Sequence, residues 1–318
     1  MRTIIVGGGA AGASCAARLR RLDENADIII LEKTNEISIA NCGLPYYCSD
    51  VISDKEKMLV SNPNVFKNLL NVEVKLNSAA TSIDREKKTI KINGDHEMNY
   101  DKLVLALGAN PIKPPITGIE NKNIFTVRTL NDTDQIKNYI HQNFVKNAVV
   151  VGGGFIGVEM AENIAHLGIN TTLVELSDQI LAPLDTDIAG FAQNQMRDNG
   201  VTLYLSDGVK EVEESEIILN SGKKIPYDIA ILAIGVRPET SLAKECGLEI
   251  GTSGGIVVNE FMQTTDENIY AAGDSVEIKD FIDESKALIP LAGPANRQGR
   301  IIADNISGLN STYKNTQG

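Results

Sequence analysis

The chain has 318 residues, 42% hydrophobic and 23% charged, the balance of a folded globular protein with room for two domains of ordinary size. A formal net charge of −12 without any basic block argues against a nucleic-acid partner. No apolar run reaches the length of a bilayer span and MRTIIVGGG enters structure at once, so a cytoplasmic protein is expected.

In chain order, residues 3–19 (TIIVGGGAAGASCAARL) read as a β-branched strand, a Gly-rich turn and an Ala-rich helix. Gly7, Gly9 and Gly12 form G-x-G-x-x-G, the spacing that lets backbone approach a pyrophosphate at a helix N-terminus. Glu32 closes the next strand, DIIILEK, where a carboxylate can accept hydrogen bonds from a ribose diol. On the first helix Ser14, Arg18 and Arg21 fall at i, i+4 and i+7 and share one face, a spacing suited to holding phosphates.

Residues 37–50 (ISIANCGLPYYCSD) place Cys42 at the mouth of an expected helix, LPYYCSDVI, whose N-terminus favours thiolate over thiol. Five residues separate Cys42 from Cys48, and Cys48 reads as buried filler; Cys15 and Cys246 read as packing residues. Four scattered cysteines make no disulfide framework, and His96, His141 and His166 have no metal-ligand spacing, so no metal is expected. The run LVLALGANP (103–111) then closes on Gly and Pro.

The same sentence is then written again. Residues 148–164 (AVVVGGGFIGVEMAENI) repeat strand, turn and helix with Gly152, Gly154 and Gly157. TTLVELS ends in Glu175, and AILAIGVRP (230–238) repeats the Gly-Pro close. This predicts an α/β protein with two Rossmann-like dinucleotide-binding domains. Neither Arg nor Lys follows closely on Glu175, so NADH is expected over NADPH, whose 2′-phosphate a carboxylate repels. An apolar strand near 265–274 ends in Ala-Gly-Asp274, a carboxylate suited to a polyol chain, and residues 296–307 read as a last helix.

Both turns, both Gly-Pro strand ends and Asp274, in this order, resemble the pyridine nucleotide–disulfide oxidoreductases over essentially the entire chain. The resemblance implies an FAD domain from residues 1–112 and 245–318, with an NAD(P)H domain inserted at 113–244. It implies FAD contacts from Gly7, Gly9, Ala10, Ala11, Gly12, Glu32, Lys33, Ala80, Gly108, Asp274 and Ala295. For NAD(P)H it implies Gly152, Gly154, Ile156, Gly157, Glu159, Glu175 and Gly235. ANCGLPYY and PLAGPANRQGR are similar to segments of coenzyme A-disulfide reductases and the related persulfide and polysulfide reductases. By that similarity Cys42 cycles between thiolate and a mixed disulfide, and Ser14, Arg18, Arg21, Ser38 and Asn41 line a coenzyme A site. Two positions depart from that group: Leu69 and Leu70 stand near a Lys of some members, and Asn296 stands for a His. The neighbouring oxidase and peroxidase branch, which uses its Cys as a sulfenic acid, carries His where this chain has Ala10. An electron-transfer reductase, which needs no reactive Cys, is the other alternative. Relatives continue into a dimer-forming interface domain, so a truncated chain of a homodimeric protein is expected.

Overall fold

The computed structural model describes residues 1–316. Ten strands build two five-stranded parallel sheets. The first five in chain order are β1 (Arg2–Val6), β2 (Asp27–Leu31), β3 (Glu73–Lys75), β4 (Lys102–Leu105) and β5 (Ile124–Thr126). They are followed by β6 (Asn147–Val151), β7 (Asn170–Val174), β8 (Thr202–Tyr204), β9 (Ile229–Leu232) and β10 (Ile269–Ala271). One sheet runs β10-β4-β1-β2-β3 and the other β5-β9-β6-β7-β8, so the repeat in the sequence is a repeat in topology. The helices that bear on the site are α1 (Ala10–Leu22), α2 (Leu44–Cys48), α3 (Leu130–Asn143), α4 (Phe155–His166) and α5 (Ala292–Ile306).

Contacts divide the chain into two compact units. Met1–Ile39, Leu59–Asn110 and the chain from Arg237 onward form one; Ala40–Met58 and Pro111–Val236 form the other. The late strand β10 thus returns to the first sheet, pairing with β4 through Ile269, Tyr270 and Ala271. The segment that bears Cys42 packs with the second unit.

The strands are near-continuous apolar runs because parallel sheets are covered on both faces. Ile4, Ile5, Ile30, Leu103 and Leu105 are all buried in the first unit. Val149, Val150, Ile229 and Ile231 do the same work in the second. α1 and α5 lie close together because Gly299 meets the Ala11 backbone where a Cβ would overlap it. Arg20 is also buried here, and its guanidinium donates to the carbonyls of Leu70, Asp23, Glu24, Ala26 and Asn71. Among the described residues no helix is long and apolar enough to cross a membrane.

Two helices differ from their sequence-based bounds. α2 stops at Cys48 rather than running through 44–52, because Asp50 takes a left-handed conformation (φ 63°) and Lys137 donates to the Tyr47 carbonyl. α5 begins at Ala292, four residues before Asn296. Pro294 is tolerated in a first turn, where its missing N–H has no intrahelical partner to lose.

In each unit the third Gly of the turn packs on the carbonyl of the first, and a methyl group at Gly12 or Gly157 would overlap that oxygen. Gly12→Ala should therefore cost about 1–3 kcal/mol by overpacking. Thermal melting of the variant beside a surface Gly→Ala control such as Gly190→Ala, which meets open space, checks this.

Candidate functional site

Each turn is built by the same set of bonds. Gly7 and Gly152 have φ of 102° and 108°, open only to Gly without strain, and their N–H groups donate to Leu31 and Val174. Glu32 Oε2 accepts from the Gly8 N–H at 2.8 Å, and Glu175 Oε2 accepts from the Gly153 N–H at 2.5 Å. Their other oxygens accept from the Thr34 and Ser177 N–H groups. The two acids thus pin their own turns; Glu32 Oε1 also accepts from the Thr34 hydroxyl, and the Oε2 of each acid keeps a lone pair for a ribose hydroxyl.

The residues present fit dinucleotides at both turns. α1 and α4 are preceded by Gly9 and Gly154, which have open space where a Cβ would stand. Neither helix has a side-chain cap or an acid in its first turn, so its N–H groups are left for an anion. Both turns follow the carboxyl end of a central strand where the chain order reverses, the usual ligand crevice of such sheets. In the first unit Gly273, just ahead of half-buried Asp274, faces the methyl groups of Ala11 and Ala295. This brings four of the positions implied for FAD, Ala10, Ala11, Asp274 and Ala295, into one neighbourhood. Asp274 caps no helix; the next element is a strand from Val276. Gly108 has φ 72°, Lys33 is exposed, and Ala80 opens the strand Ala80–Asp84 in a separate three-stranded sheet.

In the second unit Ile156 is exposed at the start of α4, and Gly235 has φ 109°. Glu159 lies beyond the first turn of α4, half-buried; burial and then the neighbouring Glu162 raise its pKa. Tyr46 is pushed up chiefly by Glu159, then by burial, Glu162 and Cys42. Cys42, Tyr46 and Glu159 thus share one electrostatic neighbourhood.

Cys42 is exposed in a single 3-10 turn, Asn41–Gly43, that runs directly into α2, with Asn41 exposed beside it. At five residues α2 is too short to give the dipole expected of a longer helix. Exposure is what sets Cys42 apart. Cys15 and Cys48 are buried and burial pushes both thiols up to about 12, and burial also raises that of Cys246. Cys48 is filler, as its sequence context implies.

The first unit also holds a cavity of about 290 Å³, lined by Ala10, Ser14, Arg21 and Ser38 together with Asn296 and Arg300. Three of the five positions implied for coenzyme A are therefore together. Ser14 donates to Asn296 Oδ1 at 2.5 Å, and Ser38 has a left-handed backbone (φ 57°). Arg18 turns away and pairs with Asp304 on α5 at 2.8 Å, and Asn41 lies with Cys42 in the other unit. Arg300 was not read as a site residue from the sequence. Its signal was there, because it stands at i+4 from Asn296 on the same helix face. Neither Arg21 nor Arg300 has a carboxylate partner among the described residues, so the cavity is positive on an acidic protein.

Paired dinucleotide turns on two parallel sheets, with an exposed thiol, define a flavin- and nicotinamide-dependent oxidoreductase. The family model described as pyridine nucleotide-disulphide oxidoreductase matches residues 1–299, and the chain belongs to that family. An NADH oxidase of Methanocaldococcus jannaschii is 37% identical over 98% of this chain and 71% of its own. A coenzyme A disulfide reductase of Staphylococcus aureus is 34% identical over 96% of this chain and 70% of its own. The crystal structure of reduced Bacillus anthracis CoADR-RHD superposes with a TM-score of 0.97 at 47% identity. That match covers 99% of this chain but only 58% of the solved one.

The burial of the thiols generates a direct expectation. Below pH 9 a thiol at about 12 carries on the order of 1,000-fold less thiolate than an ordinary one. Iodoacetamide at pH 8, followed by peptide mass spectrometry, should label Cys42 first and leave Cys15 and Cys48 unlabelled until the protein is unfolded. Rapid labelling of Cys48 in the native protein would contradict the assignment.

Proposed function

We propose that the chain is an FAD-dependent NAD(P)H oxidoreductase that reduces a disulfide or persulfide, with coenzyme A as the carrier thiol. The observation that carries this reading is one exposed cysteine in a chain whose other thiols are buried (Cys15, Cys48) or half-buried (Cys246). When bound, FAD accepts hydride from the nicotinamide and supplies two electrons to sulfur. The chain's own part is to bind, orient and expose. Gly152, Gly154, Ile156 and Gly157 present the second turn to NAD(P)H, with Glu159 and Gly235 near the nicotinamide and Glu175 at the ribose. Gly7, Gly9, Gly12, Glu32 and Asp274 do so for FAD.

The thiolate of Cys42 attacks one sulfur of the disulfide RSSR. A Cys42–S–SR bond forms, the S–S bond of the substrate breaks, and RS⁻ leaves. Two electrons and a proton then cleave the mixed disulfide to Cys42 thiolate and a second RSH. The sum is NAD(P)H + H⁺ + RSSR giving NAD(P)⁺ and 2 RSH. Arg21 and Arg300 suit the phosphates of coenzyme A because a guanidinium binds phosphate in a bidentate fork. Glu175, with no Arg or Lys in the LSDQILAP stretch that follows it, favours NADH over NADPH. The chain spans about seven-tenths of the length of the curated relatives it matches.

The 37% identity to an NADH oxidase gives a second reading, in which oxygen accepts the electrons. Ala10 stands where that branch carries His, which favours the disulfide. An anaerobic titration with NADH and, separately, NADPH, followed by coenzyme A disulfide, decides between them. The flavin should bleach, with NADH the better donor, and reoxidise on adding the disulfide. Cys42→Ser should lose only the second step. Reoxidation by oxygen alone would favour the oxidase.

Arg21→Ala and Arg300→Ala should each raise KM for coenzyme A disulfide about 10-fold, the loss of one charge-assisted contact. KM for a phosphate-free disulfide such as cystine should stay unchanged in both variants. Equal effects on the two substrates would remove the phosphate role.

A further inference from the structure

Besides local bonds from Ser49 and Ile52 to the Tyr46 carbonyl, α2 and the residue after it are tethered to two other helices of their own unit. On one side stands α3, which begins with a capping box between Thr129 and Asp132. Its Asp134 accepts from the Tyr47 hydroxyl at 2.9 Å and from Lys55 at 2.6 Å. Its Lys137 donates to the Tyr47 carbonyl at 3.0 Å and to Asp50 at 2.6 Å, with the ammonium 4.0 Å from the Tyr47 ring centroid. On the other side stands α4. The Ser49 hydroxyl donates to Asn163 Oδ1 at 2.6 Å, and Asn163 Nδ2 donates to the Glu159 carbonyl at 2.8 Å.

The Ser49–Asn163 pair is unlike the others because it is buried, at 4% and 3% exposure. A buried polar pair contributes little more to stability than an apolar pair of the same shape. Its distinctive property is direction. A hydrogen bond weakens steeply once its angle falls, so this one fixes α2 in a single register on α4.

Both ends of that register lead to chemistry. α4 starts at Phe155, inside the second dinucleotide turn, and Asn163 is one helical turn past Glu159. At the other end, Ser49 follows α2 directly, and α2 continues without a break from the turn that holds Cys42. That turn is closed by Gly43 N–H to Ala40 and Leu44 N–H to Asn41, and Ala40 N–H is anchored on Met58.

We infer that Ser49 and Asn163 are positioning residues whose hydrogen bond couples pyridine nucleotide bound at the 152–157 turn to the reactivity of the Cys42 thiol. The inference rests on the reading that this turn takes NAD(P)H. Nucleotide held by the first residues of α4 bears on the helix that carries Asn163, and Asn163 passes the change to Ser49 and so to α2. Apolar packing alone would let α2 slide and lose the message.

The test uses NAD⁺, which binds the same turn but delivers no hydride, so the thiol is followed without turnover. The alkylation rate of Cys42 by iodoacetamide is measured by mass spectrometry with and without saturating NAD⁺, and NAD⁺ affinity is measured separately by calorimetry. In the native protein NAD⁺ should change the rate at least about 5-fold, the usual floor of a coupling between sites. Ser49→Ala combined with Asn163→Leu removes both polar partners together, leaves neither group unpaired and should preserve the fold. This double variant should bind NAD⁺ as before while the change in alkylation rate is lost; Ser49→Ala alone should lose most of it. Persistence of the change in the double variant would mean that the nucleotide shields the thiol directly and would overturn the coupling. So would NAD⁺ binding to the native protein without any change in rate. Failure of NAD⁺ to bind at all would overturn the nucleotide reading itself, and this proposal with it.

Discussion

The contact on which the rest depends is that of one backbone with another inside each Gly-rich turn. The helix that follows can lie against the end of its strand only because Gly12 and Gly157 carry no side chain. That contact sets the direction of α1 and α4, and with it everything those helices present. On α1 it carries Ser14 and Arg21 to the wall of the cavity. On α4 it carries Glu159 and Asn163 to the side where α2 packs. The acids at the ends of β2 and β7 then hold the turns from the opposite flank through Gly8 and Gly153. One local constraint, met twice, places most of the groups that matter.

Such a constraint is legible in a sequence because it is local. The spacing of Gly7, Gly9 and Gly12, the acid at the next strand end, and the repetition of all of this at 152–175 need no knowledge of distant contacts. The return of β10 to the first sheet was implied only by the family resemblance that the Ala-Gly-Asp strand end helps to carry. What escaped depends on partners far along the chain. Arg18 has the right spacing for the cavity face, yet Asp304, nearly 300 residues later, claims it. Arg300 joins the cavity because Ser14 binds Asn296 and Gly299 lets α5 settle on α1. The early stop of α2 follows in part from Lys137, on a helix almost 90 residues away, taking the Tyr47 carbonyl. Helix periodicity gave the faces; tertiary charge pairing decided which residues on those faces were free.

The same division explains why the chain can be acidic overall and still offer an anion site. Net charge acts through solvent over long range and is screened within about 8–10 Å. At the cavity the local balance differs, since Arg21 and Arg300 keep no carboxylate neighbour while Arg18 is neutralised. Burial works in a comparable way on the thiols. Four cysteines of one intrinsic chemistry are separated into one that is exposed and three, buried or half-buried, that desolvation raises.

A redox thiol has to be reachable and yet held in a fixed place, and the two demands conflict. A residue exposed on a 3-10 turn gains little order from burial of its own side chain. The turn around Cys42 therefore takes its order from α2 behind it, which is gripped by α3 through charge and by α4 through a buried hydrogen bond. An apolar grip could supply comparable stability but not one register, because dispersion and solvent exclusion are nearly indifferent to a small slide. Polar bonds are not indifferent. Their use on a five-residue helix, at the cost of desolvating Ser49 and Asn163, is intelligible if what the segment must keep is position rather than stability.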